Sequence, residues 1–290
     1  MAEPELSIVV AAAHARQLVV ECLKSIESQI GWRSIEVLVV TNSADDARIV
    51  RERFPAFTLV ETPDARLVQN LWGAGVMRAR GRIFALTAAT CVPDAQWVEE
   101  TLKAHTEYHS AIGGAVELAP NAGLLDSAMY FVRYTPCMLP FDEEHTAVPS
   151  ENGSYKRAAI ADQMNWIAAN GFWEQNVNEH LRSQMRSLKA NPRSIVYVKQ
   201  SHTFGGFMRH QFVHGRLLGQ ARATRHAGIK RLLYLAASPA IPLIRLSRII
   251  RPLLAKKRRV APFFLSLPLI VWFLICGAIG EVAGMARLDA

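Results

Sequence analysis

Residues 6–13, Leu6-Ser-Ile-Val-Val-Ala-Ala-Ala13, form a short apolar run rich in β-branched side chains, the pattern of a strand buried on both faces. A helical period follows, in which Leu18, Cys22, Ile26 and Ile30 share one face of a segment over 17–30 that Gly31 closes. Ile35-Glu-Val-Leu-Val-Val40 predicts a second strand, and the polar run Thr41-Asn-Ser-Ala-Asp-Asp46 a loop. A helix over 46–53, a strand over 57–61, a helix over 66–80 ending at Gly81, and a strand over 82–87 continue the alternation. Strands and helices alternating at this spacing predict an α/β fold: βαβ units and an open, mostly parallel sheet flanked by helices. Such sheets bind ligands beyond the carboxyl ends of their strands. That rule gathers His14, residues 41–46 and residues 87–94 around one candidate crevice.

Beyond it the pattern predicts a helix over 94–109 carrying Trp97, Leu102 and His105. Ala111-Ile-Gly-Gly-Ala-Val-Glu117 reads as a strand whose glycines permit close approach of another backbone. Residues 120–154 mix helix and loop and lead into Ser150-Glu-Asn-Gly-Ser-Tyr-Lys-Arg157. A helix is predicted over 172–189 and a strand over 195–198. The sequence contains no internal repeat and no low-complexity linker. Neither G-x-G-x-x-G after the first strand nor a Walker A motif is present, so the common dinucleotide and P-loop readings lack their signature.

Half of the 290 residues are apolar and a fifth are charged, which excludes a disordered chain. The net charge of +8 is unevenly spread: residues 1–204 carry 19 Lys/Arg against 23 Asp/Glu, and residues 205–290 carry 14 against 2. The body is mildly acidic and the tail strongly basic. Cys22, Cys91, Cys137 and Cys276 lie far apart without metal-ligand spacing, which suits reduced thiols in a cytosolic setting. Glu3 and Glu5 precede the first apolar run where a signal peptide would need basic residues.

The tail is periodic in its own way. Arg209, Arg216, Arg222, Arg225, Lys230 and Arg231 alternate with apolar residues on a predicted helix. Residues 232–244 are apolar but broken by Pro239 and Pro242; Arg245, Arg248 and Arg251 then follow at helical spacing beside aliphatic residues. A basic amphipathic helix of this kind lies on an anionic membrane surface. Lys256-Lys-Arg-Arg259 precedes residues 260–280, which carry no charge and as a helix would reach about 30 Å, the hydrocarbon thickness. The basic flank predicts that this side is cytoplasmic, with one span or a re-entrant segment beside interfacial helices; a buried core helix is the alternative. Nucleic acid is excluded as the tail's partner by the long aliphatic runs between charges and the lack of any recognition motif. His210-Gln-Phe-Val-His214 has the histidine spacing of a zinc helix, but glutamine stands where a zinc protease needs its glutamate.

Several pieces, in order, carry a family resemblance. They are Leu6-Ser-Ile-Val-Val10 with Glu36-Val-Leu-Val-Val40; Asn70, Gly73, Gly75 and Arg78-Ala-Arg-Gly81 with Ile83-Phe-Ala-Leu86; Ile112-Gly-Gly-Ala115; Asn152-Gly-Ser-Tyr-Lys-Arg157; and Phe172-Trp-Glu174. With the basic tail, the chain resembles family 2 glycosyltransferases over nearly its whole length. The resemblance implies a GT-A-like fold and an inverting transfer from a nucleotide sugar. It divides the chain into a glycosyltransferase domain over 1–204, basic interfacial helices over 205–259 and a C-terminal membrane segment over 260–290. Glu174 falls at the position of the catalytic base, with a helix cap or surface acid as its alternative reading. Ala11, Ala13, Thr41 and Asn42 fall at the donor site, and Arg209, Arg216, His202 and His214 where the family supplies cations to the diphosphate; lipid headgroups are the competing partner for the arginines and buried structural roles for the histidines.

The chain departs from the family where the acidic D-x-D-like motif belongs. It reads Leu86-Thr-Ala-Ala-Thr-Cys-Val-Pro-Asp94, so Thr87, Ala88, Ala89 and Thr90 offer no carboxylate to a metal, and Asp94 reads as a helix cap. Thr41 replaces the usual aspartate after the second strand; Asp45 and Asp46 are its nearest substitutes, in a turn or at a helix cap. No metal ligand is therefore assigned, and Mg2+ or Mn2+ enters only as what the resemblance implies for a nucleotide-sugar complex. Three functions stay open: transfer to an envelope glycolipid or polysaccharide at the cytoplasmic face of the inner membrane; a non-catalytic relative serving as a structural or regulatory subunit of a membrane-protein complex; and a different nucleotide-binding enzyme on a similar sheet.

Overall fold

In the computed structural model, residues 3–31, 33–141, 144–199, 203–225 and 229–286 are described. The chain runs β1 (Leu6–Ala12), α1 (Gln17–Ile30), β2 (Ile35–Thr41), α2 (Ala44–Arg53), β3 (Thr58–Glu61), α3 (Val68–Arg78), β4 (Ile83–Ala88), β5 (Cys91–Pro93), α4 (Trp97–Ala104), β6 (Ala111–Leu118), α5 (Leu124–Tyr134), β7 (Gly153–Lys156), α6 (Met164–Asn170), α7 (Glu174–Ser183), β8 (Leu188–Val198), α8 (Phe204–Arg225), α9 (Ile229–Ala237), α10 (Ile241–Lys256) and α11 (Val260–Ala286). It divides into two units, Met1–Ala119 with Cys137–Lys199, and Pro120–Pro136 with Gln200–Ala290.

The first unit is built on one sheet in the order β3-β2-β1-β4-β7-β6-β8-β5. Strands β3, β2, β1 and β4 are parallel neighbours, as the alternation with helices predicts. Beyond β4 the sheet is mixed: β7 runs antiparallel to both β4 and β6, β8 is parallel to β6, and β5 is antiparallel to β8. The parallel pairings expected from the alternation are those of β3, β2, β1 and β4 and of β6 with β8, while β7 and β5 make the sheet mixed. Every residue of β1 is buried, which accounts for its unbroken apolar run. Gly75 of α3 lets that helix sit on the sheet, since a Cβ there would lie 2.2 Å from Val9 Cγ1.

Two strands escape the periodicity, β5 with three residues and β7 with four. The helix predicted over 172–189 stops at Ser183, because the polar run after it has no apolar face; Met185 turns the chain at φ 54° and β8 starts at Leu188. The helix predicted over 94–109 is shorter too, spanning Trp97–Ala104, with Asp94 Oδ1 accepting the Gln96 N–H at 3.3 Å just ahead of it.

The second unit is helical. Helices α8 and α11 pack backbone to backbone through glycines: a Cβ at Gly215 would lie 2.1 Å from the Gly277 carbonyl oxygen, and one at Gly280 would lie 2.1 Å from that of Phe212. Close helix approach through small residues favours dispersion contact over side-chain interlock. Glu281 of α11 is fully buried and accepts hydrogen bonds from Tyr234 Oη at 2.5 Å and Arg245 Nη2 at 2.6 Å, and it also pairs with Arg222. Two helical stretches, Leu233–Lys256 and Val260–Ala286, are long and apolar enough to cross a bilayer.

Candidate active site

The carboxyl ends of β1, β2 and β4 meet in register: Ala11 pairs with Val40 and with Ala88, and Ala12 with Thr41. From Ala12 the chain turns through Ala13, and His14 and Arg16 adopt left-handed φ of 52° and 53°. Such backbone persists only where surrounding contacts hold it. Here Asp46 holds it, accepting the Ala15 N–H at 2.8 Å and the Arg16 N–H at 2.7 Å while fully buried itself. Asp46 sits in the first turn of α2, capped by Ser43. Its carboxylate is committed to the loop and does not replace the missing acid after β2, and Asp45 faces solvent.

Thr41 is buried, and its Oγ1 accepts the Ser43 N–H at 3.0 Å, which closes the turn after β2. Asn42 Nδ2 donates to the Ala65 carbonyl at 2.8 Å, while Oδ1 is buried without a partner among the described residues. That orphan acceptor needs an N–H or O–H donor.

The turn between β4 and β5 is fastened by its backbone. Ala89 N–H donates to Ala11 O at 2.9 Å, Lys199 N–H to Thr90 O at 2.7 Å, and Trp72 Nε1 to Thr87 O at 2.8 Å. Ala88 and Ala89 present methyl groups, and Thr87 is fully buried with Oγ1 unpartnered among the described residues. A hard divalent cation needs several anionic or carbonyl oxygens at once. Among the described residues no cluster of three His, Cys, Asp or Glu side chains exists to supply them. The residues at this turn do not fit a divalent metal.

The facing side is assembled by glycines. A Cβ on Gly113 would strike the Ala147 carbonyl oxygen at 2.0 Å, and one on Gly114 would strike Asn152 Nδ2 at 2.1 Å, so the 3-10 turn Ser150–Asn152 can lie directly on β6. Asn152 locks it: Nδ2 donates to the carbonyls of Ala115 at 2.8 Å and Ser194 at 2.9 Å, and Oδ1 accepts from Trp97 Nε1 at 2.7 Å. Gly153 pairs with Leu86, and β7 runs antiparallel to β4. Residues 150–152 therefore extend past the carboxyl end of β4, beside the Thr87–Thr90 turn. From there Ser150 Oγ donates to Glu174 Oε2 at 2.6 Å.

Glu174 is half-buried and opens α7, where the helix dipole favours a carboxylate. Ahead of it Gly171 takes φ 85°, Phe172 N–H donates to Gln69 O at 2.8 Å, and the fully buried Phe172 ring packs edge-on to Phe84 and Tyr155. Burial, and then the Glu174 charge, push the Tyr155 hydroxyl well above its ordinary range, so it stays protonated and donates to Asn178 Oδ1 at 3.0 Å.

The structure thus brings Ala11, Ala13, Thr41, Asn42, residues 87–90 and Glu174 to one end of the sheet. Arg209, His214 and Arg216 lie on α8 in the second unit, and His202 falls outside the described residues. The two histidines of the zinc-like spacing are ring neighbours, His210 lying 6.2 Å from His214 and 5.8 Å from Phe207. Ser150 and the buried Glu151 were not legible as site residues, because a polar Ser-Glu-Asn run reads as exposed loop. The one available signal was the glycine pair of β6.

A parallel half-sheet with its crevice at the strand ends, faced by a helix-borne carboxylate across an antiparallel strand, defines a GT-A-like fold. The family model described as Glycosyl transferase family 2 matches residues 7–159, and the chain belongs to that family. No curated protein matches it. Among solved structures it is similar to the mannosyltransferase PcManGT from Pyrobaculum calidifontis in complex with GDP-Man and Mn2+, at 18% identity and a TM-score of 0.55, over 97% of this chain and 88% of that one. The likeness is one of fold.

Proposed function

We propose that the chain is an inverting glycosyltransferase that moves a sugar from a nucleotide-sugar donor to an envelope glycolipid or polysaccharide, with Glu174 as its base. The observation that carries this reading is the Ser150–Glu174 hydrogen bond at 2.6 Å, which orients one carboxylate at the end of the sheet where the donor half opens. In the reaction the acceptor hydroxyl oxygen attacks the anomeric carbon and its proton passes to Glu174. The bond from that carbon to the diphosphate oxygen breaks with its electron pair. Asn42 Oδ1 suits a nucleobase N–H or ribose hydroxyl. No step is routed through a divalent metal, since the Thr87–Thr90 turn offers it no ligands; Arg209, Arg216, His202 and His214 are proposed to stabilise the leaving diphosphate. The basic helices over 205–259 and the segment over 260–290 hold the enzyme at the cytoplasmic face of the inner membrane, near a lipid-linked acceptor.

Ala88 and Ala89 favour a second reading, a non-catalytic subunit of a membrane complex. Calorimetric titration of the purified full chain with UDP and GDP, each with and without Mn2+, separates the two. Metal-independent binding weakened by Arg209→Ala or Arg216→Ala supports the transferase. Absence of binding at millimolar nucleotide favours the subunit, and binding only with Mn2+ refutes the metal-free site.

A further inference from the structure

Helix α11 has two faces along its whole length. Phe263, Ile270, Phe273, Gly277 and Glu281 are buried within the helical unit, while Phe264, Leu265, Trp272 and Ile279 are about half or more exposed. Leu233 of α9 and Leu243 of α10 are exposed at 62% and 69%. A bare apolar stripe of this length, on a segment whose residues 205–260 hold 13 Lys/Arg and no acid, matches an anionic lipid surface in both polarity and charge.

The depth of insertion follows from what α11 carries with it. Helix α8 runs parallel to it: Phe207 meets Phe273 with ring centroids at 4.7 Å, Gly215 abuts Gly277, and Gly219 abuts Glu281. Met208 Sδ accepts the Trp272 Nε1–H at 3.4 Å. Trp272 lies twelve residues into α11, about 18 Å along the axis. Were α11 upright across a bilayer from its Lys256–Arg259 flank, Arg209, beside Met208 and exposed, would stand near mid-depth in hydrocarbon. Arg222 and Arg245, bound to Glu281 about 30 Å along α11, would have to be carried through to the far edge of the hydrocarbon.

We infer that the helical unit enters only one leaflet, with α11 lying along the interface, its apolar stripe in the acyl boundary and the exposed Arg248 and Arg251 of α10 at headgroup level. The inference rests on the membrane association proposed above and deepens it: the membrane is neither crossed nor pierced, and Ala286 stays on the side of Lys256.

The test uses the full chain with Cys276→Ala and one reporter, Ala255→Cys or Ala286→Cys, both at exposed positions. Sealed membrane vesicles of known sidedness are treated with a membrane-impermeant maleimide. Equal labelling of both reporters from the face that exposes Ala255→Cys is the expected result. Labelling of Ala286→Cys only from the opposite face, or only after detergent, overturns the one-leaflet arrangement while membrane association stands. Flotation with phosphatidylglycerol and phosphatidylcholine vesicles checks the association itself, expected to be stronger with the former. Failure to float refutes association and the inference together, and dimerisation of such lipid-free protein would place a second copy on the stripe instead.

Discussion

Glu174→Gln removes the proposed base with little change of shape. The Gln carbonyl can still accept the Ser150 hydroxyl, so the 2.6 Å bond that orients the side chain has a neutral replacement. The helix-dipole contribution lost at the start of α7 is about 0.3–1 kcal/mol, small against the stability of a domain. Loss of general-base catalysis slows the chemical step by about 100- to 10,000-fold, or about 3–5 kcal/mol of barrier. The variant should therefore fold, bind nucleotide as the native protein does, and lose kcat at an unchanged donor KM. Transfer of labelled sugar to a membrane-extract acceptor, at matched protein abundance, measures this. Ser150→Ala gives a graded companion: it removes one charge-assisted hydrogen bond of about 1.5–3 kcal/mol, which limits its loss of rate to about 100-fold. Retention of more than about a tenth of native kcat by Glu174→Gln would refute the role of this carboxylate.

Asn152→Ala leaves the buried Trp97 Nε1–H and the Ala115 and Ser194 carbonyls without their partner, at about 1–3 kcal/mol per orphan, so a midpoint drop on the order of 10 °C is expected in a thermal melt. His105 is held neutral chiefly by burial, then by the charges of Lys156 and His109, with its pKa lowered to about 3. Below about pH 6.5 the unfolded chain takes up a proton that the fold refuses, so stability falls by about 1.4 kcal/mol per pH unit down to about pH 3. Urea midpoints at pH 7 and pH 5 should accordingly drop less in His105→Gln than in the native protein, and equal slopes would discard that account. Glu281→Ala strips the counter-charge from Arg222 and Arg245; breaking such a buried pair costs about 3–5 kcal/mol, which limited proteolysis of the helical unit would register. Asp46→Asn weakens the two N–H bonds that hold the His14–Arg16 turn, and nucleotide affinity measured by calorimetry should fall with them.

The parallel half of the sheet was legible because β1, β2 and β4 are largely buried on both faces and its helices on one, so apolar runs and a helical period appear at full strength. Strands β5 and β7 were not, since Cys-Val-Pro and Gly-Ser-Tyr-Lys are short and hold a proline or a glycine and polar residues where an apolar run would mark a strand. Strand β8 begins at Leu188 and runs on through Asn191, Pro192 and Arg193, residues that argue against a strand, and it tolerates them at the shift in register beside Gly114 and Ala115. The basic, apolar character of the tail was visible in sequence; the mutual contact of α8 and α11 was not, because glycines leave no hydrophobic signature and act only when a partner backbone arrives.

At the site, composition alone established which groups are missing. The side chains of Ala88 and Ala89 offer a cation no ligand in any fold, and Glu174 heads a helix that its neighbours make recognisable. Which acids remain available was a tertiary matter. Asp46 looked like a spare carboxylate until the turn after β1 claimed both its oxygens, and the Glu174 carboxylate is met by the hydroxyl of Ser150, 24 residues earlier. Local pattern determines secondary structure because it is set by near neighbours. The employment of a polar side chain depends on who reaches it across the fold, and distance along the chain does not encode that.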